Sequence, residues 1–342
     1  MKKLLEQHSF LILVLFLLIF FSLTLGFAWW ARINIERTLS SLIRANSTRS
    51  EIESRLTPSE DQITLLFVGD IMLSRAVGEK IEETGDYRYP FLETADFIRQ
   101  ADLAFANLEG PISARGRNQG SQYSFRAEPR TVGGLTFAGF DVVSLANNHI
   151  WDWGSEALTD TVSILETNGI ETVGAGRSYE EANTPVIKEI GGTKIAFLAY
   201  TNLYPEGLEA SSSSPGISDF DSAKKKIVEV KEAADIVVVS LHWGDEYGSR
   251  SNQVQQAIGR SLVDAGADLI IGHHPHVIEE IEPYGNGWIV YSLGNFVFDQ
   301  NFSEATREGL AVLAKVQQKK VVSLETIKVE ISPAFQPSFS SL

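Results

Sequence analysis

Six histidines are the residues of this chain best equipped for chemistry, and five of them follow short apolar runs. His149 stands in SLANNHIWDWG, His242 in LHWGDEY, and His273, His274 and His276 in GHHPHV, while His8 precedes a long apolar stretch. A lone histidine is usually a hydrogen-bonded structural residue, but neutral imidazole is also a common ligand for zinc, iron and manganese. Clustering favours the second reading. His274-Pro275-His276 places two imidazoles two residues apart, and on an extended segment such side chains share a face. Acid and amide groups occupy comparable places: Asp70 in GDIML, Glu109 in NLEGP and Asn148 beside His149. Taken singly, Asp70 reads as a helix cap, Glu109 as a solvated acid and Asn148 as a turn residue. The chain has no Cys, so any metal must be held by His, Asp, Glu or Asn.

The elements that must bring these residues together are legible as alternating patterns. Apolar runs at 63–68, 142–145, 195–199, 236–241, 269–271 and 289–293 are short and continuous, as strands buried on both faces should be. Helix-like segments lie near 91–100, 155–168, 221–234 and 252–266, and this alternation predicts an α/β domain. Segments 309–316 and 321–331 carry strand character with no helix between them, which predicts an antiparallel pair. The metal-capable residues follow the strands, and in open α/β sheets ligands bind outside the carboxyl ends of the strands. Asn295, just after the last apolar run, stands at that edge as a candidate substrate contact.

Composition narrows the function. The chain has 342 residues, 29 Lys plus Arg against 44 Asp plus Glu, and a net charge of -15, which disfavours nucleic acid as a partner. Arg115, Arg117, Arg126 and Arg130 form the conspicuous basic cluster, and the first three are candidate contacts for an anionic substrate. Residues 1–9 form a short N-terminus. Residues 10–30 hold no charged side chain and are long enough for one membrane helix, with Trp29 and Trp30 suited to the interface. A cleaved signal peptide would have a shorter apolar part and end in small residues. Lys2 and Lys3 favour a cytoplasmic N-terminus, which predicts a single-pass protein of the cell membrane with its C-terminal domain extracytoplasmic. Residues 31–61 read as a stalk, 62–332 as the folded domain and 333–342 as a tail.

GDIML, NLEGP, SLANNHIWDWG, LHWGDEY, GHHPHV and SLGNFVFD, in this order over residues 63–310, resemble the CapA family of capsule and poly-gamma-glutamate synthesis proteins. The resemblance implies a calcineurin-like metallophosphoesterase fold, a four-layer α/β/β/α sandwich with its site at the strand ends. That superfamily holds two metals with D-x-H, G-D-x-x-D, G-N-H, a lone His and G-H-x-H. By position, Asp70, Glu109, Asn148, His242, His274 and His276 resemble its ligands. His149 resembles the residue that protonates the leaving group, with Asp152 as the neighbour that holds it. Met72 stands where the first motif has His, so one imidazole is lost, and Asn107-Leu108-Glu109 replaces G-D-x-x-D.

The resemblance implies one or two divalent ions, Mn, Fe or Zn, and hydrolysis of a phosphoester or of an amide in a glutamyl polymer. Three readings stay open. The first is an extracytoplasmic metal-dependent hydrolase acting on an anionic polymer or phosphoester. The second is an inactive subunit that binds or guides polymer beside a membrane synthase. The third is a metal phosphatase facing the cytoplasm in reversed topology.

Overall fold

The computed structural model describes Trp30, residues 62–204 and residues 207–340. The span expected at 10–30, apart from Trp30, and the stalk expected at 31–61 lie outside the described residues. Among the described residues no helix is long and apolar enough to cross a membrane. All described residues but Trp30 belong to one unit, Arg55–Leu342.

In chain order the strands are β1 (Ile63–Ile71), β2 (Leu103–Leu108), β3 (Val142–Ser144), β4 (Glu171–Val173), β5 (Ala175–Gly176), β6 (Val186–Ile190), β7 (Thr193–Thr201) and β8 (Gly216–Ile217). They continue as β9 (Ile236–His242), β10 (Leu269–His273), β11 (Ile281–Tyr284), β12 (Gly287–Val290), β13 (Asn295–Val297), β14 (Glu308–Gln317), β15 (Lys320–Ile331) and β16 (Pro337–Ser340). One sheet has the order β16-β15-β14-β1-β2-β3-β4, with β13 paired in parallel to the end of β1. A second has the order β11-β12-β10-β9-β7-β6, and β5 and β8 form a separate small pair. Within the first sheet β1, β2 and β3 are parallel, and within the second β7, β9, β10 and β12 are parallel.

The two sheets face each other across a core built from alternate residues of each strand. Leu65 and Phe67 of β1, Phe105 of β2, Phe197 of β7, Val238 of β9 and Ile271 of β10 meet there, with Phe105 stacked on Phe197 at 5.7 Å between ring centroids. The intervening residues of the second sheet, Leu198, Val237, Val239 and Ile270, point the other way onto the helices Ala223–Lys231 and Gln253–Asp264. Strands clad on both faces need apolar residues at every position, which is why the runs in β9 and β10 do not alternate. The helix Gln253–Asp264 starts at a capping box: the Asn252 side chain accepts the Gln255 N–H and the Gln255 side chain accepts the Asn252 N–H. Such reciprocal capping satisfies two otherwise orphaned donors.

Segments 309–316 and 321–331 pair antiparallel as β14 and β15, as their patterns predict. The residues read as a tail differ: Pro337–Ser340 add β16 to the edge of β15, and Phe339 packs on Phe97 at 4.5 Å between centroids. Packing of Phe339 against a distant helix is a tertiary event that no local period announces.

Beneath the helix Gln253–Asp264, Gln255 Nε2 donates to Oε2 of buried Glu279 at 2.8 Å, while Glu279 Oε1 has no partner. Burial, opposed by the Gln255 hydrogen bond, pushes this carboxyl up from 4.5 to about 7. The folded state therefore holds a proton that the unfolded chain releases, so this contribution to stability is present below pH 4.5 and is lost as pH rises toward 7. Glu279→Gln is expected to flatten that slope. Urea midpoints at pH 5 and pH 8 check it: the wild-type midpoint should fall more between the two than the variant's, and equal shifts would overturn the assignment.

Candidate metal centre

Each metal-capable side chain is delivered by the carboxyl end of a strand. Asp70 lies near the end of β1, Glu109 follows β2, Asn148 follows β3, His242 ends β9, and His274 and His276 follow β10. The loops bring the two sets of strand ends to one place. His276 Nδ1 is 3.5 Å from Asp70 Oδ2, His276 Nε2 is 3.6 Å from Glu109 Oε1, and His242 Nε2 is 2.9 Å from Asn148 Oδ1. Donors of Asp70, Glu109 and His276 all lie within 4.8 Å of one another, as do those of Glu246, His274 and His276.

Two close backbone approaches make this convergence possible. A Cβ on Gly69 would lie 2.0 Å from the Gly294 carbonyl oxygen, and one on Gly272 only 1.9 Å from that of Tyr291. Glycine therefore lets the segment before β13 seal the ends of β1 and β10. The His-Pro-His segment is not extended as the sequence suggests. His274 and His276 sit at φ 96° and 58°, in the left-handed region, where a non-glycine residue costs on the order of 1–3 kcal/mol. Contacts offset that cost: the His274 N–H donates to Asp70 Oδ2 at 3.2 Å, and Asn295 Oδ1 faces His276 Nδ1 at 2.9 Å.

Burial sets the protonation states. It drives the imidazoles of His242 well below the ordinary 6.5, takes His274 down to about 3 and lowers His276. Neighbouring imidazoles add to the effect at His242, whereas Asp70 opposes it at His274 and His276. All three therefore keep free lone pairs at neutral pH, the form that binds metal. Burial raises Asp70 as well, but contacts with His273, His276 and Asn107 outweigh it and hold the carboxylate ionised. Glu109 is pushed well above 4.5 by burial and by the charges of Asp70, Glu246 and Asp152.

This set of side chains fits divalent ions. Buried Glu109 Oε1 and His274 Nδ1 have no hydrogen-bond partner, and gathered carboxylates repel one another unless a cation sits among them. Two donors that each sit about 2.1 Å from one ion, at about 90–110°, are roughly 3.0–3.5 Å apart. The spacings of His242 Nε2 from Asn148 Oδ1 and of His276 Nε2 from Glu109 Oε1 are close to that size.

A separate pair stands beside the donors. His149 Nδ1 is 2.7 Å from Asp152 Oδ2, and its Nε2 is 3.9 Å from Glu109 Oε1, so the second nitrogen faces the metal-capable group. Phe125 stacks on the imidazole at 3.9 Å between centroids, and its backbone N–H donates to the same Asp152 oxygen at 2.7 Å. The ring's orientation is therefore fixed by a hydrogen bond and by a face.

Among the expected substrate contacts, the side chains of Asn295, Arg115 and Arg126 have partners within the chain. Asn295 is fully buried; beyond His276, its Nδ2 donates to the Thr306 carbonyl at 2.9 Å and to Gln300 Oε1 at 3.1 Å. It orients His276 instead of facing solvent, because parallel pairing of β13 with β1 sets Asn295 opposite Asp70. The Arg115 guanidinium is held by Asp160, with Nε 2.9 Å from Oδ2. Arg126 lies 3.5 Å over the Trp153 ring and donates to the Arg115 carbonyl. Arg117 is exposed, and its backbone N–H is bonded to the Trp153 carbonyl. No hydrogen bond joins these arginines to the metal-capable group among the described residues.

Three residues of the site have roles that the sequence alone does not assign. His273 is fully buried with Nδ1 3.0 Å from Asp70 Oδ1. Asn107 Nδ2 reaches Asp70 Oδ1 at 2.9 Å and Glu109 Oε2 at 3.4 Å, and Glu246 approaches from the loop after β9. Asn107 carried a usable signal: it stands two residues before Glu109, so a strand presents both on one face. Met72, in the place of the missing imidazole, is buried, and its sulfur accepts from the Ser74 N–H and hydroxyl.

Known proteins are similar to this chain in sequence or in fold. Capsule biosynthesis protein CapA of Bacillus anthracis is 32% identical over 281 residues, covering 79% of this chain and 68% of that one. PGA biosynthesis protein CapA of Bacillus subtilis is 34% identical over 292 residues, covering 84% and 76%. Among solved structures, a novel phosphatase from Mycoplasma pneumoniae superposes with a TM-score of 0.51 at 16% identity, covering 82% of this chain and 95% of that one. That likeness concerns the fold. Residues 64–300 match the family described as bacterial capsule synthesis protein PGA_cap, and with the two relatives at 32% and 34% identity this match shows that the chain belongs to that family.

Proposed function

We propose that this chain is a metal-dependent hydrolase acting in capsule or poly-gamma-glutamate biosynthesis. The observation that carries the reading is the convergence of Asp70, Glu109, Asn148, His242, His274 and His276 at the strand ends, with their imidazoles buried and neutral. The proposal includes a four-layer α/β/β/α arrangement, anchoring through residues 10–30 and an extracytoplasmic domain, with an anionic polymer or phosphoester as substrate and membrane synthase subunits as neighbours.

Divalent ions held by these residues would supply a nucleophile from water and stabilise negative charge on a phosphoryl or carbonyl oxygen. The remaining steps belong to the chain. His149, protonated, donates the Nε2 proton to the departing oxygen or nitrogen, and Asp152 holds Nδ1 so that Nε2 points at the reacting group. Asn107 and Asn295 keep Asp70 and His276 in register. Phe125 covers one face of the imidazole and limits water there.

The test is metal content of the full chain purified in mild detergent, paired with a screen of phosphoesters and gamma-glutamyl peptides. Near-stoichiometric Mn, Fe or Zn and hydrolysis lost on chelation are expected. Absence of metal at saturating supply would overturn the reading. It would favour the second one, a polymer-binding or guiding subunit without catalysis, for which Met72 in the place of an imidazole is the supporting observation. Protease treatment of intact cells should cut the domain from outside, and full protection would reverse the proposed topology.

A further inference from the structure

The loop between β9 and the helix Gln253–Asp264 carries Glu246, which neither the superfamily motifs nor their positional transfer includes. Its carboxylate reaches within 4.8 Å of donor atoms of both His274 and His276, although the residue itself is exposed. The approach is built into the backbone. The N–H of the next residue, Tyr247, donates at 2.8 Å to the carbonyl of Pro275, the residue between the two histidines. Tyr247 adopts φ 64° to make this turn, and its hydroxyl accepts from Gln300 Nε2 at 3.3 Å, so both backbone and side chain pin the loop over the site. His276 Nδ1 is engaged by Asn295, which leaves Nε2, 3.6 Å from Glu109 Oε1, for an ion.

We propose that Glu246 is a further metal ligand, closing the centre on its solvent side beside His274 and His276. This inference rests on the proposed metal centre. Met72 leaves the first ion with Asp70, Glu109 and a single imidazole, His276. A carboxylate from Glu246 adds an oxygen donor beside the two imidazoles that it approaches, and oxygen donors suit Mn²⁺ and Mg²⁺ better than softer sites do. The second position keeps His242, His274 and Asn148. The ion that Glu246 helps to hold should be the more exchangeable, because that side opens to solvent.

The test is Mn²⁺ binding to the chelator-stripped full chain, followed by electron paramagnetic resonance of the free ion and by calorimetry. Wild type, Glu246→Gln, Glu246→Asp and the remote exposed control Glu232→Gln are compared. Expected are two Mn²⁺ in wild type and control, with one of the two bound about tenfold or more weakly in Glu246→Gln and part of the loss recovered in Glu246→Asp. A Glu246→Gln isotherm that superposes on wild type overturns this assignment and leaves the metal centre standing. A wild type that binds no Mn²⁺, Fe²⁺ or Zn²⁺ overturns both. Thermal melts without metal show whether Glu246→Gln is folded, and Glu246→Asp, which keeps the charge, decides between a ligand and a merely structural residue.

Discussion

His149→Ala is expected to lower turnover of any substrate the protein hydrolyses by about 10²–10⁴-fold, the usual contribution of a positioned general acid. The metal content should stay unchanged, because His149 stands 3.9 Å from Glu109 with its other nitrogen committed to Asp152. Asp152→Asn should act in the same direction by roughly 10-fold or more, since it keeps the shape but loses the acceptor that fixes the imidazole tautomer. The loss should fall on kcat more than on KM, because the proton is needed in the transition state and not in binding. Steady-state kinetics with metal analysis on the same samples checks this. Turnover of His149→Ala within twofold of wild type would remove His149 from the mechanism.

Gly272→Ala should be among the most damaging conservative changes in the chain. The added Cβ would meet the Tyr291 carbonyl oxygen at 1.9 Å and its carbon at 2.5 Å, both backbone atoms that cannot rotate away. Either β10 or the segment leading to β13 must shift. Overpacking of this kind costs about 1–3 kcal/mol and sometimes more. The consequence should reach the metal centre, because β10 leads directly into His274 and His276 while Asn295 holds His276 from β13. We expect a clear fall in the urea midpoint and at least about tenfold weaker Mn²⁺ binding, as for loss of supporting contacts. Gly133→Ala is the control, since a Cβ there meets nothing within 4 Å in the helix Val132–Ala138 and alanine is the better helix former. Equal stability of Gly272→Ala and Gly133→Ala would sink the argument.

Both predictions depend on residues that the sequence marks and on contacts that it does not. The apolar runs at 236–241 and 269–271 became β9 and β10 because a strand clad on both faces needs nothing but apolar side chains, a property written locally. The metal-capable types after each run were equally plain, whereas the pairing of His149 with Asp152 came from the family resemblance. The neighbours of the basic cluster were not legible: positive charge in a loop says nothing about which carboxylate or ring will be near, and Asp160 and Trp153 stand beside Arg115 and Arg126. The bond from the His274 N–H to Asp70 spans 204 positions, and no period in the chain encodes it.

The sequence by itself determined which side chains could bind a cation and that each would stand at the end of a strand, because alternation and burial act over a few residues. Only the tertiary structure decided that Asn295 serves His276, that His273 and Asn107 back Asp70, and that Glu246 leans toward the two histidines. Those roles follow from how two sheets pack and from which loops cross their ends. They are set by contacts between segments far apart in the chain, whose geometry exists only once the core has closed.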